Sequence, residues 1–402
     1  MLVFREGRRP HSGSALLQAL LRLIRQLEPA GTESRHELLL EALLRSGELE
    51  SALADLQSPH APALAAATNA LADLLLGRHL PLAPILERLS CLTLPPQITL
   101  STPEGFAYYA LHPSQYADLA DALPLAPACA AVVGIRSIGT TLSAVVAAAL
   151  RRRGLAAERI TVRPGGHPFD RHTDFSPDDL RWIAAQRARR AQFLVVDEGP
   201  GLSGSSFLSV GDALLQAGVP RNSITFLCAA QPDPSRLRAR DGARRWPEFR
   251  SYAVRPRPDS LPDAAVNLSG GLWRRLFFDL ACNWPSSWVT MERPKFLSRD
   301  GRRLFKFEGL GHYGANVAER ARALADAGFA PPWDDATAGY LAYVKEPGLP
   351  TTRMDLCPAL LDRLAQYCAF RASVFREPAP NSEELSAMAA WNLHEEFGLP
   401  YE

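Results

Sequence analysis

The stretch from Ala130 to Cys228 constrains the fold most, because short apolar runs alternate there with segments of helical periodicity. Ala130-Ala-Val-Val-Gly-Ile135, Ile160-Thr-Val162, Phe193-Leu-Val-Val196 and Ile224-Thr-Phe-Leu-Cys228 read as buried strands. Helices are expected from about Thr140 to Arg153, from Pro177 to about Arg190 with Ser176 as its cap, and from about Phe207 to Ala217. Strands joined by helical crossovers predict a parallel sheet with helices on both faces, and ligands in such folds sit at the carboxyl ends of the strands. The expected class is α/β.

The flanks read differently. Leucines at three- and four-residue steps predict amphipathic helices over Ser14 to Leu27, Glu33 to Leu56 and Ala63 to Arg78, with stripes suited to a core or to an oligomer or partner interface. After Leu94-Pro95-Pro96 the runs shorten, and Pro103-Glu-Gly-Phe-Ala-Tyr-Tyr-Ala-Leu-His-Pro113 gathers aromatics ahead of a helix over Ser114 to Ala122. The Pro-rich Arg255 to Pro262 marks a second boundary. Beyond it come Trp273, Trp284 and Trp288, β-like runs at Arg303 to Phe307 and Gly339 to Val344, and helices over Asn316 to Ala327, Pro358 to Phe375 and Ser382 to Glu396. Three regions are therefore expected: a helical N-terminal region over 1–90, an α/β domain over 91–260 and an α+β region over 261–402.

Composition excludes several classes. With 47% hydrophobic and 22% charged residues in 402, the chain has the balance of a soluble globular protein. A net charge of +1 argues against a general nucleic-acid coat, although Arg187 to Arg190 and Arg236 to Arg245 are locally basic. The basic residues are arginines except for Lys295, Lys306 and Lys345. Six scattered cysteines without a CxxC pair read as reduced thiols and not as a zinc site. No run reaches the ~20 apolar residues of a spanning helix, and the start lacks the apolar run of a signal peptide, so a cytoplasmic location is expected.

The chemistry-bearing segment is Phe193-Leu-Val-Val-Asp-Glu-Gly-Pro-Gly-Leu-Ser-Gly-Ser-Ser206, a strand ending in two acids and a small-residue loop opening a helix. Adjacent carboxylates at a strand end can accept from the two hydroxyls of a ribose, and amides and hydroxyls at a helix N-terminus suit a phosphate. No lysine follows the glycines, which argues against a Walker-type loop. Val133-Gly-Ile-Arg-Ser-Ile-Gly-Thr-Thr141 is a second strand, loop and helix element, and Arg163-Pro-Gly-Gly-His-Pro-Phe-Asp-Arg-His-Thr-Asp174 reads as a long polar loop.

These elements, in this order, resemble the phosphoribosyl-diphosphate (PRPP) binding core of the type I phosphoribosyltransferases, whose acidic motif follows four apolar residues. The spacer Gly199-Pro-Gly-Leu202 is a residue longer than the usual pattern. The resemblance implies a parallel-sheet core in which Asp197 and Glu198 hold the ribose hydroxyls and, indirectly, Mg²⁺. It places the 5′-phosphate at Ser203, Gly204, Ser205 and Ser206, and the diphosphate at Arg136, Ser137, Gly139, Thr140 and Thr141. The 163–174 loop falls where that family has its mobile cover, making His167 and Arg171, with Arg163 and His172, candidates for diphosphate or proton-transfer roles; several family members use a lysine there and this chain has none. The implied reaction is displacement of diphosphate by a small-molecule acceptor seated near Ala230 to Asp233 or Phe106, Tyr108 and Tyr109.

The Pro103 to Pro113 and Asp197 to Ser206 segments are also similar to phosphoribosyltransferases of bacterial tellurium-resistance and stress-response gene clusters, which implies synthesis of a nucleoside-like metabolite. Leu304-Phe-Lys-Phe-Glu-Gly-Leu-Gly-His-Tyr-Gly314 faintly resembles the small lobe of an aminoglycoside-phosphotransferase-like kinase, with Lys306 on phosphates, but no His-x-Asp or Asp-x-Gly motif follows. Two other classes stay open from sequence: a PRPP or nucleotide sensor without turnover, and a scaffold whose N-terminal helices or C-terminal region bind a protein.

Overall fold

The computed structural model describes residues 10–124, 129–255, 261, 263–287, 292–376 and 382–398, which leaves Trp288 and part of the Pro-rich boundary outside the described residues. Among these, 10–105 with 111–255 form one unit, and 106–110 with 261–398 form another.

The first unit opens with β1 (Pro10–Ser12), α1 (Gly13–Gln26), α2 (Thr32–Asp55), α3 (Ala61–Leu75) and α4 (Ala83–Ser90), and β2 (Gln97–Thr99) returns to pair antiparallel with β1. The short α5 (Glu104–Ala107) and then α6 (Pro113–Ala122), begun by a His112 capping box, lead to the sheet. There the chain runs β3 (Cys129–Ile135), α7 (Ile138–Arg152), β4 (Ala156–Val162), the hairpin β5 (Gly165–His167) and β6 (Asp170–His172), α8 (Pro177–Ala188) and β7 (Gln192–Val196). It ends α9 (Ser205–Gln216), β8 (Ile224–Cys228), α10 (Gly242–Arg245) and β9 (Arg250–Ala253).

The five main strands lie in the order β4-β3-β7-β8-β9, and every neighbouring pair is parallel. Alternation within each strand sorts its residues between the two faces. Ala131, Val133, Phe193, Val195, Ile224 and Phe226 share one core with Ile183 of α8 and with Phe207, Leu208 and Leu214 of α9. The intervening residues meet α7: a Cβ on Gly134 would lie 2.4 Å from Ser143 Oγ, and one on Gly139 would lie 2.5 Å from the Val196 carbonyl. The α/β class and the parallel sheet are thus as expected.

Helix α7 is buried from Ile138 through Leu150 on all its faces, a burial that demands cover on both sides. The sheet supplies one side; α2, α3 and α6 pack on the other. The leucine stripes of α1 and α2 are consumed in this layer, with Leu20, Ile24, Leu43 and Leu44 fully buried. The helical region of 13–90 is consequently a third layer of the sheet unit. A buried ion pair fastens it: Arg159 of β4 donates to both oxygens of Glu50 at 2.7 and 2.6 Å, with side chains 2% and 3% exposed.

In the second unit β10 (Ala264–Asn267), β11 (Lys295–Ser298), β12 (Arg303–Phe307), β13 (Trp333–Asp335) and β14 (Tyr340–Val344) form an antiparallel sheet ordered β10-β11-β12-β14-β13. Helix α11 (His312–Asp326) follows β12 across a tight approach: Gly309 has φ +135°, and a Cβ there would sit 2.7 Å from Gly314 N. Lys295 and Lys306 are direct cross-strand partners, each paired with a carboxylate, Glu292 at 3.0 Å and Glu308 at 2.8 Å. Glu308 is buried and also accepts from Arg293 and Tyr343, both at 2.9 Å. Helices α12 (Pro358–Val374) and α13 (Ser382–Phe397) close the described chain, with Tyr367 and Phe370 of α12 packed on Phe329. No described helix is long and apolar enough to cross a membrane.

Candidate functional site

Three strand ends carry the residues singled out from sequence. Beyond β3 comes Arg136, whose amide donates to the Val162 carbonyl at 2.8 Å and so ties this turn to the end of β4. Beyond β7, the Asp197 amide donates to Leu227 O at 3.3 Å, and Glu198 O accepts the Ala229 amide at 2.8 Å. Since β3 lies between β4 and β7, Arg136, Arg163 and Asp197 emerge side by side at one edge of the sheet.

Asp197 follows directly on β7 and is half-buried. Burial pushes its carboxyl up to about 7, against the lowering effects of the Glu198 amide and the charges of Arg163 and Arg171. Its carbonyl is fixed by the fully buried Tyr116, whose hydroxyl donates to it at 2.6 Å. Burial, with Cys228, Asp197 and Glu198 nearby, holds the Tyr116 phenol well above its usual range, so it stays a neutral donor. Replacing Tyr116 by phenylalanine removes that bond, and a loss of about 1–3 kcal/mol in a denaturant titration is expected; an unchanged midpoint would show that the bond contributes nothing. Burial also pushes the Cys228 thiol up to about 12, which leaves it inert as a nucleophile at neutral pH.

Glu198 turns the other way and accepts the Gly105 amide at 2.8 Å. A Cβ added at Gly105 would stand 2.9 Å from the Glu198 carboxyl carbon, so a larger residue there would push this side chain aside.

The loop after Glu198 turns through Gly201 and Gly204, both at positive φ (+62° and +69°), and Gly204 forms the N-cap of α9. The helix begins at Ser205 rather than near Phe207, so Ser205 and Ser206 are first-turn residues; the Ser205 amide donates to Ser203 Oγ at 3.2 Å. The Ser203 and Ser205 hydroxyls both donate to the Pro168 carbonyl, at 2.9 and 2.5 Å. That carbonyl lies at the tip of the β5–β6 hairpin: the segment expected to be a loop is partly a two-stranded ribbon. Thr173 Oγ1 and Ser209 Oγ, 2.9 Å apart, join its base to α9.

On the ribbon, Arg171 donates to Pro164 O at 3.1 Å, and its charge acts on Asp197. His167 packs edge-on against Phe169 at 5.4 Å, and its Nδ1 accepts the Phe169 amide at 3.2 Å, which places the proton of the neutral ring on Nε2. His172 is exposed, 3.7 Å from Asp174. Phe169, Arg171, Ser205, Asp212, Arg240 and Arg245 help line a cavity of about 340 Å³ beside the start of α9.

The proposed diphosphate residues divide. Arg136 and Ser137 form the turn, joined by a cis peptide, and are partly exposed. Gly139, Thr140 and Thr141 are buried in the first turn of α7, which starts at Ile138. Packing of α7 on β7 claims Gly139, and α2 closes on Thr141, where a Cβ on Gly47 would lie 2.0 Å from Oγ1.

Arg136 donates through Nη1 to Thr161 O at 3.0 Å, and its Nε lies 2.8 Å from Asp55 Oδ1. That N–H does not point along this line, so it is buried without an aligned acceptor. Arg163 grips the same carboxylate with Nε, at 3.1 Å, and Nη2. Asp55 was invisible as a site residue in the sequence; the available signal was an acid closing a helix with no base in its last turn, the reverse of what the helix dipole favours.

Of the residues considered for an acceptor, Asp233 accepts from Ser235 N and Oγ at 3.0 and 2.6 Å in a local turn. Phe106, Tyr108 and Tyr109 belong to the other unit, where Phe106 O accepts the Leu310 amide at 2.9 Å and Arg293 lies 5.3 Å from the Tyr108 ring.

No family model matches the chain, and no curated protein matches it.

Proposed function

We propose that the sheet unit binds PRPP and transfers its phosphoribosyl group to a small-molecule acceptor, releasing diphosphate, as its resemblance to type I phosphoribosyltransferases implies. One observation carries this reading. Two elements whose groups suit anions, the Arg136–Ser137 turn and the Ser203–Ser206 loop, stand with the Asp197 carboxyl at the carboxyl edge of adjacent parallel strands. A phosphate at each end and two hydroxyls between them is the chemistry of PRPP.

The chain's own residues supply orientation. Arg136, ion-paired with Asp55 at 2.8 Å, offers the charge of its guanidinium to a diphosphate oxygen. Ser206 offers a first-turn amide to the 5′-phosphate, beside a Ser205 amide that donates to Ser203 Oγ. Asp197, once ionised, accepts from a ribose hydroxyl, and the β5–β6 ribbon provides the cover that keeps water from an oxocarbenium-like centre.

Mg²⁺ fits only as a passenger of the diphosphate. Among the described residues no group of three or more metal-ligating side chains converges, and Glu198 is already engaged by Gly105. Asp197 is the carboxylate that would face such an ion, whose chemistry is to neutralise the departing diphosphate.

Calorimetric titration with PRPP, with and without Mg²⁺, tests the reading. Saturable Mg²⁺-dependent binding is expected, tightening as pH rises through about 7, where Asp197 gains the charge that accepts a hydroxyl. Absence of binding at every pH would overturn it.

A further inference from the structure

We propose that Asp55 is a positioning residue for the diphosphate subsite, through which the N-terminal helices hold the turn after β3 in its binding geometry; this inference rests on reading that site as a PRPP pocket. Asp55 is the last residue of α2, and its carboxylate reaches two guanidinium groups from different strand ends. Arg163 takes it with two nitrogens, Nε and Nη2, and Nη2 also reaches Ser51 Oγ at 3.3 Å. The remaining arm, Nη1, donates to the Arg136 carbonyl at 2.8 Å. A continuous relay thus runs from the end of α2 through Arg163 to the main chain of the Arg136–Ser137 turn. A second contact, from the same carboxylate to Arg136 Nε, fixes the side chain.

The arrangement has the form of a support more than of a ligand seat. Arg163 spends its planar fork on Asp55 and its third arm on backbone, so its role is to hold the turn. Arg136 is held at Nε by the Asp55 carboxylate and at Nη1 by Thr161 O, so its charge stands in a fixed place beside the turn. A lone carboxylate beside an anion site would weaken anion binding by repulsion. Here it is shared between two arginines, so the trio keeps a net positive charge, and the residual effect of Asp55 is to order two long side chains before the ligand arrives. Such pre-ordering spares the ligand the cost of immobilising them.

The test compares the full chain with its Asp55→Asn and Asp55→Glu variants by calorimetric titration with PRPP, inorganic diphosphate and ribose 5-phosphate in Mg²⁺ buffer, with melting curves alongside. In Asp55→Asn, PRPP and diphosphate are expected to bind about tenfold more weakly while ribose 5-phosphate stays within about twofold of the wild type. Asp55→Glu keeps the charge but displaces it, so it should fold as the wild type and lose diphosphate affinity about threefold. Wild-type or tighter diphosphate binding in either variant overturns the proposal, tighter binding marking Asp55 as a competitor of the ligand. An equal loss of ribose 5-phosphate overturns it too, because it would mean general loosening. If the wild type binds none of the three, the PRPP reading itself falls, a result distinct from binding that is indifferent to Asp55.

Discussion

Asparagine at position 197 is expected to make the ligand-free protein more stable at about pH 8 and to weaken PRPP binding about 10–100-fold. The first effect follows from linkage. The folded carboxyl titrates at about 7 against an ordinary value of 3.8, so between those values the folded state binds more protons than the unfolded one and stability falls as pH rises. Above about pH 7 the buried charge carries its full cost, and an isosteric neutral side chain removes it. Each kcal/mol recovered should raise the melting temperature by about 2–4 °C for a unit of this size, more at about pH 8 than at about pH 5. The second effect is the loss of a hydrogen bond to a charged acceptor. Melting curves at both pH values, paired with PRPP titration, would measure the opposition directly. A variant neither stabilised nor impaired would show that Asp197 ionises without penalty and takes no part in binding.

Arg159→Met should be the most damaging single change in the sheet unit. The guanidinium is 2% exposed and bonds both Glu50 oxygens, so its removal strands a buried carboxylate, at a cost of about 3–5 kcal/mol. The double variant Arg159→Met with Glu50→Leu removes both charges and should recover most of that loss, since the pair's own desolvation largely offsets its attraction. Guanidinium titration of the three proteins decides it; a single variant within about 1 kcal/mol of wild type would mean that the Glu50 side chain is accommodated without its partner. The consequence extends past stability, because β4 leads from Arg159 to Arg163, and loosening of α2 against this strand would also release Asp55.

Strands covered on both faces were legible because they read as nearly unbroken apolar runs, as in Phe193 to Val196. The edge strand Arg250–Ala253 escaped notice: it is half solvated and its sequence Arg-Ser-Tyr-Ala has no apolar pattern. The short strands β10, β11 and β13 span too few residues to show a pattern, and in the ribbon at 165–172 a glycine-rich, polar turn sequence conceals a three-residue pairing. At the candidate site, the acids and the glycine loop could be read locally, since their chemistry depends on neighbours in sequence. Asp55, Gly105 and Tyr116 could not, because each meets its partner only through packing across many residues: Gly105 and Glu198 are 93 positions apart. The same packing removed Gly139, Thr140 and Thr141 from solvent, a fate that a βα turn does not announce.

The lysines offer a practical handle. Lys295 and Lys306 face each other across β11 and β12, and Lys345 follows β14, so every lysine ε-amine in the chain belongs to the C-terminal unit. Amine-directed fluorophores and lysine-specific proteases will therefore report on that unit, since the parallel-sheet unit has no lysine to react. One chain thus carries a built-in contrast label, and amine reactivity followed during unfolding reads one half alone.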